Sequence, residues 1–203
     1  MPRGIALEYQ VPYLGKDKIA AIAESVREKY AGNGYPVNPE LICESLNLPI
    51  ISLPRLKRFF SVDAYITGDF SRIWVDDEEF KKNSPRNRFS ISHELGHYFL
   101  HRDFYPKELD NAEKLLDYSD VLSNRKAEFQ ANYFAASLLC PEEELNNLLI
   151  KFFGSSFVEN FWKASQEERF NGLNRVAKHF GLSLESTYHR VEDCYPELQK
   201  YIF

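Results

Sequence analysis

The stretch Ser84–His101, SPRNRFSISHELGHYFLH, decides how this chain is read. Serine followed by proline is a helix start: the serine side chain caps the first turn, and proline is tolerated at the first helical position. A helix is therefore predicted from about Pro85 to His101. Inside it lies H-E-x-x-H. At about 100° per residue, His93 and His97 fall within about 40° of each other, so both imidazoles can reach one ion. Glu94 sits at the edge of the same face, placed to meet a water rather than the ion. The opposite arc carries Ile91, Leu95, Tyr98 and Phe99, with Phe89 and Leu100 on the other flank. A wide apolar face with one polar window is not the pattern of a solvated helix. Gly96 costs the helix about 1 kcal/mol against alanine, and its missing side chain lets a neighbour pack closely beside the histidines. The competing reading is a pair of hydrogen-bonded core histidines. His101, two turns beyond His93, is too far along the axis to join the same ion and reads as scaffold or surface.

A hydrolytic zinc site keeps three protein ligands and an open position. The best third ligand lies in RKAEFQANYFAASLLCP, Arg125–Pro141. Glu128 shares a helix face with Ala131, Asn132, Ala135 and Leu139, and the alanines allow a close approach to the histidine helix. Asn132 could hold the second nitrogen of a ligand histidine. Asp103, Asp110, Glu113 and Asp117 are rival ligands without such a small-residue setting. For stabilising an oxyanion, Tyr98, His101, Tyr118, Tyr133, His179 and His189 are all conceivable.

Outward from this centre, Lys16–Tyr30 reads as a helix ended by Gly32-Asn33-Gly34. Asn38 caps a short helix through Leu46 with Pro39 at its first position. Residues 49–53, 64–66 and 72–75 read as strands, and Arg55, Lys57 and Arg58 as a solvated loop. Ser123 is expected to begin a helix to Leu139, which Pro141 stops. The remainder is helical in pattern, broken near Gly154 and Gly181. Helices, a few strands, then helices make an α+β chain, mostly helical with a short three-stranded sheet. Two parts are expected, 1–141 holding the site and 142–203 a helical extension packed on it. Arg175–Asp193 has the look of a helix-turn-helix.

The chain has 203 residues, 44% hydrophobic and 15% aromatic, and a formal net charge of −5. That suits a globular fold and argues against a protein that coats nucleic acid. From Glu142 onward acids outnumber bases, which argues against direct DNA binding and for completing the cleft or binding a protein partner. No apolar run approaches the ~20 residues of a membrane span. The N-terminal stretch MPRGIALEYQVPYLGKDK carries no secretion-signal core. Cys43, Cys140 and Cys194 are scattered and read as reduced thiols. The expected location is the cytoplasm.

HELGH followed by EFQANYFAASLLCP resembles the ImmA/IrrE family of metallopeptidases. The resemblance runs from about Lys16 to Pro141: PVNPELICESLNLPI, a glycine-containing hairpin, and WVDD before RNRFSISHELGHYFLHRD follow the family's order. It implies a zincin-like fold with HExxH on a central helix. It also implies a gluzincin-like site: one zinc ion held by His93, His97 and Glu128, with Glu94 as catalytic acid and base. Cys140 stands where methionine is usual, a packing position. The implied activity is a zinc endopeptidase of narrow specificity, and the implied substrate a helix-turn-helix repressor. The alternative is a non-catalytic zinc-containing regulator or toxin–antitoxin partner-binding protein.

Overall fold

A computed structural model describes residues 10–32, 34–82, 84–104 and 124–201. Asn33, Asp110, Glu113, Asp117, Tyr118 and Ser123 lie outside these, as does most of the quoted N-terminal stretch. In chain order the described elements are α1 (Lys16–Val26, continued by a π turn over Arg27–Ala31), α2 (Pro39–Ser45), β1 (Ile50–Leu53), α3 (Leu56–Phe60), β2 (Ala64–Ile66), β3 (Ile73–Asp76), α4 (Asp77–Lys81), α5 (Pro85–Leu100), α6 (Arg125–Leu139), α7 (Glu142–Phe153), α8 (Phe157–Lys163), α9 (Gln166–Phe180) and α10 (Leu184–Cys194), with a 3₁₀ turn over Pro196–Tyr201. The fold is α+β with one small mixed sheet, as the sequence predicts. None of the described helices is long and apolar enough to cross a membrane.

The local signals act as expected where their side chains find the backbone. Ser84 Oγ accepts from Asn87 N at 3.2 Å, and Asn38 Oδ1 accepts from Glu40 N at 2.9 Å. Both leave proline at the first helical position. Asn124 caps α6, its Oδ1 accepting from Ala127 N at 3.2 Å. Two short helices depart from the sequence reading. The basic stretch is α3 rather than a solvated loop: Leu56 is fully buried, Lys57 N donates to Asp76 Oδ2 at 2.9 Å, and Lys57 Nζ pairs with Asp63 at 3.0 Å. Asp76 also caps α4 through Glu78 N and Glu79 N.

The strand order is β1-β3-β2, with β1 parallel and β2 antiparallel to β3. Thr67 N donates to Arg72 O and Asp76 N to Asp63 O, so residues 63, 65 and 67 turn their peptide groups toward β3. By the alternation of an antiparallel pair, Ala64 and Ile66 turn theirs away, to the sheet edge beside α5. Ile66, Ile73, Val75, Ile91, Leu95 and Phe134 are all fully buried in one cluster joining sheet, α5 and α6. That cluster continues past Pro141 through Leu145, Leu149, Val176, Phe180 and Val191. The buried Arg190 ties α10 back to α6, its Nε donating to Cys140 O at 2.9 Å.

A candidate metal centre between two helices

The crossing of α5 over α6 is closer than side chains usually allow. A Cβ placed on Gly96 would lie 2.9 Å from Ala131 Cα and 3.0 Å from its carbonyl oxygen. Glycine facing alanine therefore lets the backbones touch, and a residue one turn before Ala131 reaches the face of α5 that carries the histidines. That residue is Glu128. Its carboxylate oxygens lie 3.2 Å from His93 Nε2 and 3.4 Å from His97 Nε2, and the two Nε2 atoms are 3.0 Å apart. Asp103 does not join this group. Of the described residues, His93, His97 and Glu128 are the set that could hold one ion.

The hydrogens of the cluster can be assigned from its outer contacts. Asn132 Oδ1 sits 2.9 Å from His93 Nδ1, so that nitrogen donates and Nε2 keeps its lone pair. On the other side, His97 Nδ1 meets His101 Nδ1 at 3.0 Å, and His101 Nε2 meets Gln130 Oε1 at 2.8 Å. Two ring nitrogens and a carboxylate thus crowd together, and a positive charge between them, a proton or a metal ion, relieves the contact. Zinc bonds of about 2.0–2.1 Å in a tetrahedron put neighbouring ligand atoms about 3.3 Å apart, within the range of spacings found here. Two imidazoles and a carboxylate suit zinc.

The electrostatics agree. Burial resists charge on His93, but Glu128, Glu94 and Asn132 outweigh it and raise its pKa. For His97 burial prevails over Glu128, and its pKa is lowered. Burial also pushes Glu128 up, yet its hydrogen bonds to both histidines hold it down at about 2. His101, buried beside His97, is lowered to about 4.

Glu94 points the other way, toward the sheet. It is 6% exposed, and its Oε2 accepts from Ile66 N at 2.8 Å. Burial raises its pKa to about 7 against the opposing pull of His93 and the Ile66 N–H. A cleft of about 360 Å³ opens here, walled by residues 61–65 on one side and His93, Glu94, Glu128 and Asn132 on the other. None of the five described residues considered as oxyanion partners lines it. Tyr98 packs on Phe70, Tyr133 stacks on Phe129, His179 packs against Tyr35, His189 contacts Glu192, and His101 lies behind His97. Tyr65, not considered from sequence, lines the cleft.

Sequence reasoning also missed Gln130 and the Ile66 N–H. The i, i+4 spacing of His97 and His101 was a usable signal, since it repeats that of His93 and His97.

Residues 72–192, more than half of the chain, match the IrrE N-terminal-like domain of the M78 peptidases. Metallopeptidase ImmA of Bacillus subtilis (strain 168) is 34% identical over 90 residues, a match covering 44% of this chain and 46% of that protein. The match thus spans less than half of the length of that relative. Both motifs around which the cluster is built, HELGH and EFQANYFAASLLCP, lie within the matched family domain. The chain belongs to the M78 peptidase family.

Proposed function

We propose that this chain is a zinc-dependent endopeptidase of narrow specificity, with one zinc ion held by His93, His97 and Glu128 and with Glu94 as acid and base. The observation that carries this reading is the convergence of His93, His97 and Glu128, whose candidate ligand atoms, one from each residue, all lie within 4.8 Å of one another, beside a buried carboxylate whose pKa is about 7. Zinc in that position supplies Lewis acidity, polarising a scissile carbonyl and lowering the pKa of water toward 7. Glu94 accepts a proton from the attacking water and returns it to the leaving amine, a task suited to a group that titrates near neutrality. Ile66 N–H holds one oxygen of that carboxylate and aims the other at the cleft. Ala64, whose peptide groups turn away from β3, offers a short strand edge to an extended substrate. Asn132 orients the His93 ring.

The substrate we propose is a helix-turn-helix repressor, on the strength of the family resemblance. The three cysteines are all free, which fits a reducing cytoplasm. We further propose that residues 142–203 steady the site through the core they share with α6 and serve as a protein-contact rather than DNA-contact unit, in keeping with the excess of acids over bases from Glu142 onward.

Metal analysis of the purified chain beside Glu128→Ala tests the ligand set. About one zinc per chain is expected in the wild type, sharply reduced in a variant that still folds. Retention by the variant would move the third ligand elsewhere. Glu94→Gln then separates catalysis from binding: cleavage should be lost while zinc and substrate binding persist, and unchanged activity would sink the role given to Glu94.

A further inference from the structure

Behind His97 the hydrogen bonds do not stop at one partner. His101 is fully buried and uses both ring nitrogens: Nδ1 faces His97 Nδ1 at 3.0 Å, and Nε2 faces Gln130 Oε1 at 2.8 Å. Gln130, 1% exposed, donates from Nε2 to the Pro12 carbonyl at 2.9 Å. Lys126 on the same helix reaches the neighbouring Val11 carbonyl at 3.4 Å. The chain of contacts joins α5, α6 and the segment that precedes α1.

A peptide carbonyl can only accept, so its partner on Gln130 must be the amide nitrogen. That leaves the amide oxygen facing His101, and His101 Nε2 must carry the hydrogen. A neutral imidazole then has a bare Nδ1, which can only accept from His97 Nδ1–H. The remaining nitrogen of His97, Nε2, is left with its lone pair toward His93 and Glu128. Each step follows from the one before, and the series is anchored at an atom with no choice of role. We infer that Pro12 O, Gln130 and His101 form a relay that fixes His97 in its metal-binding tautomer, so that His101 is a positioning residue for the metal site. The inference rests on the proposed reading that His93, His97 and Glu128 hold zinc. It also assigns the segment around Pro12 a part in metal affinity, although Pro12 never approaches the ion.

The bland account makes His101 a space-filling core residue. The two accounts differ on which substitution is mild. Asparagine keeps an acceptor where Nδ1 stands but fills the space poorly, whereas leucine fills the space and offers His97 N–H nothing. Zinc affinity of the full chain, measured by competition with a chromophoric chelator, should fall roughly 10- to 100-fold in His101→Leu and in Gln130→Leu, and by no more than about threefold in His101→Asn. A second measurement needs no variant. Nitrogen-15 correlation spectra of the metal-free wild type should show His97 with its hydrogen on Nδ1 and a bare Nε2. Wild-type affinity in His101→Leu, an asparagine variant as weak as the leucine one, or a hydrogen on Nε2 of His97 would overturn the relay while leaving the zinc reading intact. A wild type that binds no zinc overturns both.

Discussion

Two glycines sit mid-helix where another helix passes, and the two crossings are built on different principles. Gly96 in α5 meets backbone, the Cα and carbonyl of Ala131. Gly172 in α9 meets the ring of Phe153, where an added Cβ would come within 2.3 Å of the ring tip. Backbone in a helix cannot step aside, but the half-buried Phe153 ring can turn. The first crossing presses polar atoms together: His93, His97, His101, Gln130 and Glu128 all lie along it. The second is closed by apolar side chains, with Leu173, Val176 and Phe180 buried and a capping box formed by Ser165 and Glu168 at the start of α9. One junction is shaped for chemistry and depends on charge. The other is shaped for stability and should be indifferent to it.

The largest expected difference between the junctions comes from alanine at each glycine. Gly96→Ala should force α5 and α6 apart, costing about 1–3 kcal/mol of stability, as overpacking in a close-packed site does. It should weaken zinc binding at least tenfold as Glu128 withdraws, read by denaturant unfolding and by chelator competition. A zinc affinity equal to wild type would show that the close approach is not what brings Glu128 to the histidines.

Next in size is the charge dependence. The folded pKa of Glu94, about 7, lies above the ordinary 4.5, so ionisation works against the fold. That penalty is absent below about pH 4.5, grows between the two values and is complete above about 7. Glu94→Gln keeps an acceptor for Ile66 N–H and removes the charge. In the metal-free protein it should raise stability by about 1–2 kcal/mol at pH 8 and by little at pH 4.5. A gain that does not depend on pH would assign the effect to packing instead.

The smallest effect belongs to the second junction. Gly172→Ala should change stability by no more than about 1 kcal/mol, because the helix preference of alanine offsets the displacement of Phe153. Zinc affinity should not move. A loss as large as that at Gly96 would erase the contrast between the two crossings.

Much of this was legible in the sequence, and what was not has a physical reason. Local signals whose partners lie within one turn read well: Ser84 and Asn38 cap the helices that their prolines begin. The short apolar run of residues 64–66 before the turn signal Thr67-Gly68-Asp69 marked a strand, and the small residues Gly96, Ala131 and Ala135 pointed to a close helix pair. Residues on one helix face could be grouped by angle alone, which is how Glu128 and Asn132 came to be considered together. Contacts between distant segments left no such mark. Nothing in EFQAN says that Gln130 turns toward Pro12, more than a hundred residues earlier, because that depends on how α1 lies across α6. The same holds for the N–H of Ile66 against Glu94, where a backbone atom carries no residue identity to read. α3 and α4 were missed because each is barely one turn and is held by Asp76, whose carboxylate serves both.

The bond from Ile66 N to Glu94 has a mechanical consequence. It makes the strand edge and the carboxylate one linkage, with a single residue, Tyr65, between Ala64 and the Ile66 N–H that holds the oxygen. On the proposed reading, a peptide that pairs with Ala64 loads that strand. Any shift it causes along β2 is delivered to a single oxygen of the group that must move the proton. Docking and chemistry then share a lever, and a poorly fitting peptide would be slow to be cut even where it is held.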